Sequence, residues 1–221
     1  VPMCSKVNAT NKFSFGIHWF NQNGNRTDLD LHAESKRLHI GWNCDLKNNA
    51  AAYTGDVTNA PEPNGGAEAV YFKDEFVDDT VVITVDNFTG RKDITTNVFF
   101  NWFIDKEVLD EDTILSIDSD SLYIKDFTLE SNEVMLGLIR ADKVGKKEFI
   151  FYSSRLSDQI VTTYNQKLKG ISSAINSTID SRLMLEDLIA MCGGLITLDP
   201  EEADYNLNET NLTKDSFNFL F

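Results

Sequence analysis

Cysteine is scarce in this chain and scattered. Cys4, Cys44 and Cys192 are odd in number and far apart, and no C-x-x-C pair occurs. That spacing argues against a disulfide framework or a thiolate zinc site and fits a reducing compartment. Long apolar runs are missing too. No stretch reaches the roughly 18 consecutive apolar residues of a membrane span, and Met135–Ile139 is typical of the longest. The opening residues, VPMCSK, carry no signal-peptide pattern, and no transmembrane segment is expected. Positive charge is also short: 20 Lys and Arg face 35 Asp and Glu, for a net charge of −15. Such a surface repels phosphate backbones, so nucleic acid is not an expected partner, whereas cations and protein partners are.

Catalytic signatures are absent. There is no G-x-S-x-G, no P-loop, no G-x-G-x-x-G and no EF-hand loop. Ser153-Ser154, Cys44 and Cys192 lack the context of a nucleophile, and the acidic run Asp110-Glu111-Asp112 reads as a solvated turn. A non-enzymatic protein is expected. His18, His32 and His39 are too few and too scattered for a transition-metal site, although His18 and His32 are placed to approach each other across paired strands.

What is present is β-pattern. The chain has 221 residues, 42% of them hydrophobic, enough for a substantial core. Phe13, Phe15, Ile17 and Trp19 alternate with polar or small residues, which predicts a half-buried strand. Asn23-Gly24 marks a tight turn after it. Further strands are predicted over Leu29–Ala33, Arg37–Trp42, Thr80–Asp86, Asn97–Asp105, Thr113–Ile117, Leu122–Leu129, Glu133–Arg140 and Glu148–Ser154. Residues 1–12 read as a ragged entry, 45–52 as a loop and 141–147 as a hairpin turn. Many short strands without a convincing helix before residue 155 predict an antiparallel β-sandwich spanning 1–155. Residues 156–221 then read as a polar linker and a small α-containing C-terminal extension, with a helix over Asp180–Met191.

The stretch Tyr53–Tyr71 breaks the alternation and reads as one long loop holding Asp56, Glu62 and Glu68. Long loops inside compact domains are more often functional than not. Upstream, Asp28-Leu29-Asp30 places two carboxylates on one side of a strand, about 7 Å apart. Asp28, Asp30, Asp56 and Glu68, with glycines that let carbonyls turn inward, are therefore candidate oxygen ligands for Ca²⁺. Read from spacing alone, solvated surface acids are the favoured reading.

In order along the chain, FGIHWF, RTDLDLHAES, YTGDVTNAPEPNGGAEAVYF and VVITVDNFTG resemble the TerD-like domain of tellurite-resistance and stress-response proteins. The tail, with Leu185-Glu186-Asp187-Leu188-Ile189 and then Asp199-Pro200-Glu201-Glu202-Ala203-Asp204, is similar to a divergent branch of that family. The resemblance implies a β-sandwich that binds calcium through acidic loops and serves as a non-catalytic module in cytoplasmic stress-response or phage-defence assemblies. Asp28, Asp30, Asp56 and Glu68 match its ligand positions. The later acidic run of typical members, G-D-G-D-D-E-like, is replaced here by Glu62-Pro63-Asn64-Gly65-Gly66-Ala67-Glu68. Fewer carboxylates imply a weaker or single site. The alternative expectation is a structural or assembly subunit of a multi-protein or phage particle that has lost the metal.

Overall fold

The computed structural model describes residues 6–9, 13–90, 93–102, 122–157 and Met191. The chain divides into two compact units, Val1–Ser177 and Thr178–Phe221. The described residues other than Met191 belong to the first. The strand expected over Thr113–Ile117 lies outside the described residues. So do the linker and α-containing extension expected over 156–221, apart from residues 156, 157 and 191.

The strands in chain order are β1 (Lys6–Asn8), β2 (Phe13–Trp19), β3 (Leu29–Glu34), β4 (His39–Ile40), β5 (Ala51–Tyr53), β6 (Gly66–Phe72), β7 (Asp79–Asn87), β8 (Thr95–Trp102), β9 (Leu122–Thr128), β10 (Glu133–Ala141) and β11 (Lys147–Ser157). They form two sheets, β1-β11-β10-β7-β3-β4 and β5-β6-β2-β8-β9. Neighbours within each sheet pair antiparallel. The protein is mainly β and sandwich-like.

Alternation drives this arrangement. Phe13, Phe15, Ile17 and Trp19 of β2 all enter the core, with Leu29, Leu31 and Ala33 of β3 and Val81, Ile83 and Val85 of β7. Aromatic rings join the two sheets: Phe149 of β11 sits 5.0 Å from Phe15 of β2 and 5.2 Å from Phe100 of β8. Phe13 stacks on Phe72 of β6 at 5.0 Å. Offset and tilted rings at this spacing add to the energy of area burial. The other face of the second sheet is covered as well, since Phe99 is fully buried. Its ring lies against Gly16, where a Cβ would come within 2.1 Å of it. Only glycine permits that approach.

Three expectations are corrected. Residues 1–12 are not wholly ragged, because Lys6–Asn8 pairs with β11. Tyr53–Tyr71 is not one long loop, and 45–52 is not loop throughout. Ala51–Tyr53 and Gly66–Phe72 pair with each other, and β6 also pairs with β2 along its full length. The period-2 signal was masked because the inward positions of β6 are Glu68, Val70 and Phe72. An acid at the first of them hides the alternation, and two alanines intervene. The true connection is Thr54–Gly65.

Candidate metal centre

The site grows from an incomplete strand edge. β4 pairs with β3 only at Ala33 and Glu34, so among the described residues no strand flanks the first half of β3 on that side. Glu68 fills the gap. It stands at an inward position of β6 in the opposite sheet, and its Oε2 accepts the amide of Leu31 at 2.8 Å. Its Oε1 accepts the amide of Val57 at 2.9 Å. One carboxylate thus ties the two sheets and the connecting loop together. Burial first, and then the nearby Asp30, raise the pKa of Glu68 well above the usual carboxylate value.

The loop that carries Asp56 is pinned at several points. Thr54 donates its amide to the Ala69 carbonyl at 3.0 Å and accepts the Ala69 amide on Oγ1 at 2.9 Å. Gly55 has φ of 103°, a region open to glycine and closed to most side chains. Farther along, Asn21 and Ala60 exchange hydrogen bonds of 2.7 and 3.1 Å. Asp28 is fixed from another direction. Its amide donates to Thr89 Oγ1 at 2.8 Å, and its carbonyl accepts the Phe88 amide at 3.1 Å.

These restraints bring Asp28, Asp30 and Asp56 together. One carboxylate oxygen from each lies within 4.8 Å of the others. Oxygens bound to one Ca²⁺ at roughly 2.3–2.6 Å are at most about 5 Å apart, so the spread suits a single ion. Asp28 is 7% exposed, and its Oδ1 is buried without a hydrogen-bond partner. Its Oδ2 accepts from Arg26 Nη2 at 2.8 Å. An orphaned carboxylate oxygen beside two further carboxylates could hold a cation. All three donors are hard oxygens, which favours alkaline-earth ions over softer transition metals.

The electrostatics agree. Asp30 is pushed up to about 8, first by burial and then by the charges of Asp28 and Asp56. Asp28 and Asp56 are also raised, mainly by burial, with Arg26 working in the opposite sense on both. Burial and mutual repulsion therefore favour the protonated forms of these acids, and a metal ion would be bound with release of protons.

Three of the four expected ligands converge, then, while Glu68 spends both oxygens on backbone amides and stands beside the group. Asp86 and Glu133 were not anticipated. Strand register aligns Asp30 of β3 with Asp86 of β7, and Asp86 with Glu133 of β10. All three are buried, and Asp86 is pushed up to about 8 by burial and then by Glu133, Asp30 and Glu34. Asp86 sits at the last outward position of the Thr80–Asp86 alternation, which was visible. Its alignment with Asp30 required the topology. His32 Nδ1 lies 3.4 Å from Asp86 Oδ2, yet burial lowers the imidazole to about 4, so the two meet as neutral groups near pH 7. His18 and His32 do not approach across paired strands: they lie on β2 and β3, in different sheets. Cys44 is free, and burial with the charges of Glu34, Asp45 and Asp86 pushes its thiol up to about 12, the opposite of an activated nucleophile.

No helix among the described residues is long and apolar enough to cross a membrane. No family model matches the chain, and no curated protein matches it. Among solved structures it is similar to a crystal structure described as that of the unknown function protein SAV2460. The identity is 14%, covering 68% of this chain and 91% of that one, with a TM-score of 0.46. A likeness that remote carries no functional argument.

Proposed function

We infer that this chain is a calcium-binding, non-catalytic module of the TerD-like kind, serving protein partners in a cytoplasmic stress-response or defence assembly. The observation that carries the reading is the convergence of Asp28, Asp30 and Asp56, with a buried, unpartnered oxygen on Asp28. The same segments, the D-L-D strand and the T-G-D loop, carry the family resemblance, and they meet at one place in the fold. The donor set is all oxygen and strongly anionic, which suits Ca²⁺. Catalysis finds no support in the thiol of Cys44, raised to about 12.

Calorimetric titration of the chelator-stripped protein with CaCl₂ tests this. The parent should bind calcium with a dissociation constant in the micromolar to millimolar range. An Asp28→Asn, Asp56→Asn double variant should not bind. A parent silent at millimolar calcium sinks the reading. That outcome would favour the metal-free assembly subunit, which has one observation on its side: Glu68 is already committed to holding the fold.

A further inference from the structure

The Arg26 side chain makes two bonds beside the acidic group. Its Nη2 donates to Asp28 Oδ2 at 2.8 Å. Its Nε donates to the Thr58 carbonyl, on the loop that carries Asp56. The guanidinium therefore clamps that loop to Asp28 while leaving Asp28 Oδ1 buried and without a partner. A carboxylate held on one oxygen by an outer group and open on the other has the arrangement of a one-oxygen metal ligand with its supporting partner. Arg26 also adds a positive charge to a trio of carboxylates, leaving two negative charges in excess.

On the strength of the metal-binding reading, the geometry points to Arg26 as a selectivity residue that matches the site to divalent cations and disfavours trivalent ones. The reason is Coulombic. The guanidinium repels the bound ion in proportion to the ion's charge. At a separation of about 6 Å in water-like surroundings, the repulsion amounts to about threefold in affinity per unit of ionic charge. The side chain of Arg26 is 59% exposed, so the water-like end of the range applies. A purely structural clamp would behave differently, weakening both kinds of ion alike when removed.

The test compares Ca²⁺ by calorimetry with Tb³⁺ by luminescence, on the parent, Arg26→Gln and Arg26→Lys. Circular dichroism shows whether each variant is folded. Arg26→Gln should raise the Tb³⁺ to Ca²⁺ affinity ratio about threefold. Arg26→Lys keeps the charge and should leave the ratio where it is. A ratio unmoved by Arg26→Gln overturns the assignment, as does an equal rise in Arg26→Lys. A parent that binds neither ion overturns the metal-binding reading itself, and this role with it. A parent that binds both ions while the ratio stays flat in Arg26→Gln overturns the selectivity role alone.

Discussion

The sheet that contains β3, β7 and β10 treats acids in opposite ways at its two ends. Where β7 begins and β10 runs into β11, Asp79, Asp142 and Glu148 each find a partner within the chain. Asp79 accepts from Ser35 Oγ at 2.7 Å and lies 3.6 Å from Arg37 Nε. Asp142 Oδ1 accepts the amides of Val144 and Lys146 at 2.9 and 2.8 Å. Glu148 accepts from Arg140 Nε at 2.7 Å. Where β3 and β10 begin and β7 ends, the acids are buried beside one another, and Asp28 and Asp86 each retain an oxygen without a hydrogen-bond partner. One end is electrostatically closed. The other holds like charges at close range, which destabilises the fold unless protons or a cation neutralise them. A bound cation of the proposed kind would offset that repulsion.

The largest effect of that difference is on the pH dependence of stability. In the fold, Asp30 and Asp86 have pKa values of about 8, against an ordinary value of 3.8. Between those limits the native state holds protons that the unfolded chain releases. The contribution to stability is therefore complete below about pH 4 and is lost as pH rises through about 8, at up to about 1.4 kcal/mol per pH unit per group. The groups facing the pair are Asp28, Asp56, Glu68, Tyr53, Glu34, Glu133 and His32. Urea midpoints measured in chelator across this range should fall with rising pH. Calcium should restore stability more at high pH than at low. A flat or rising curve in chelator would refute the account of the acidic end.

Next in size is Glu68→Ala. It strips the acceptor from two amides, and each buried unsatisfied group costs about 1–3 kcal/mol. A loss of about 3 kcal/mol is expected by urea unfolding, with at most about half recovered in Glu68→Gln, whose one carbonyl oxygen accepts a single amide while its NH₂ faces the other. A loss below about 0.5 kcal/mol would show that Glu68 does not tie the sheets together.

Asp30→Asn should separate binding from folding. Calcium affinity should fall at least tenfold, because one charged donor is gone. The metal-free protein should become more stable at high pH, because a buried anion has been replaced by a neutral amide of the same shape. Lost stability together with unchanged affinity would contradict both halves of this expectation. The smallest effect belongs to the closed end. Arg140 and Glu148 form a partly exposed pair, with side chains 25% and 22% exposed. Arg140→Gln should cost less than about 1 kcal/mol and leave calcium titrations unaltered. A larger loss would mean that the two ends differ less than their bonding suggests.

The legibility of this fold varied by element. β2, β3, β7, β10 and β11 were readable because their alternation is local and strong. β6 was not, since Glu68 occupies an inward position and the residues before it carry Pro and Gly. β1 was missed because three polar-flanked residues hold no periodic signal, and only pairing with β11 makes them a strand. In the candidate site, Asp28 and Asp30 were visible as a D-x-D pair, and Asp56 as an acid beside Gly55. Glu68 was visible as well, but its work in bonding Leu31 and Val57 was not, because those amides belong to other parts of the chain.

By itself, then, the sequence determined a chain of short strands, an excess of acid and a D-x-D pair, since each follows from composition or from a period of two residues. Only the tertiary structure decided which acids share a site. Asp56 reaches Asp28 because a loop is pinned between sheets, and Asp86 and Glu133 join Asp30 through strand register. Pairing between distant strands sets those distances, and no local pattern encodes it.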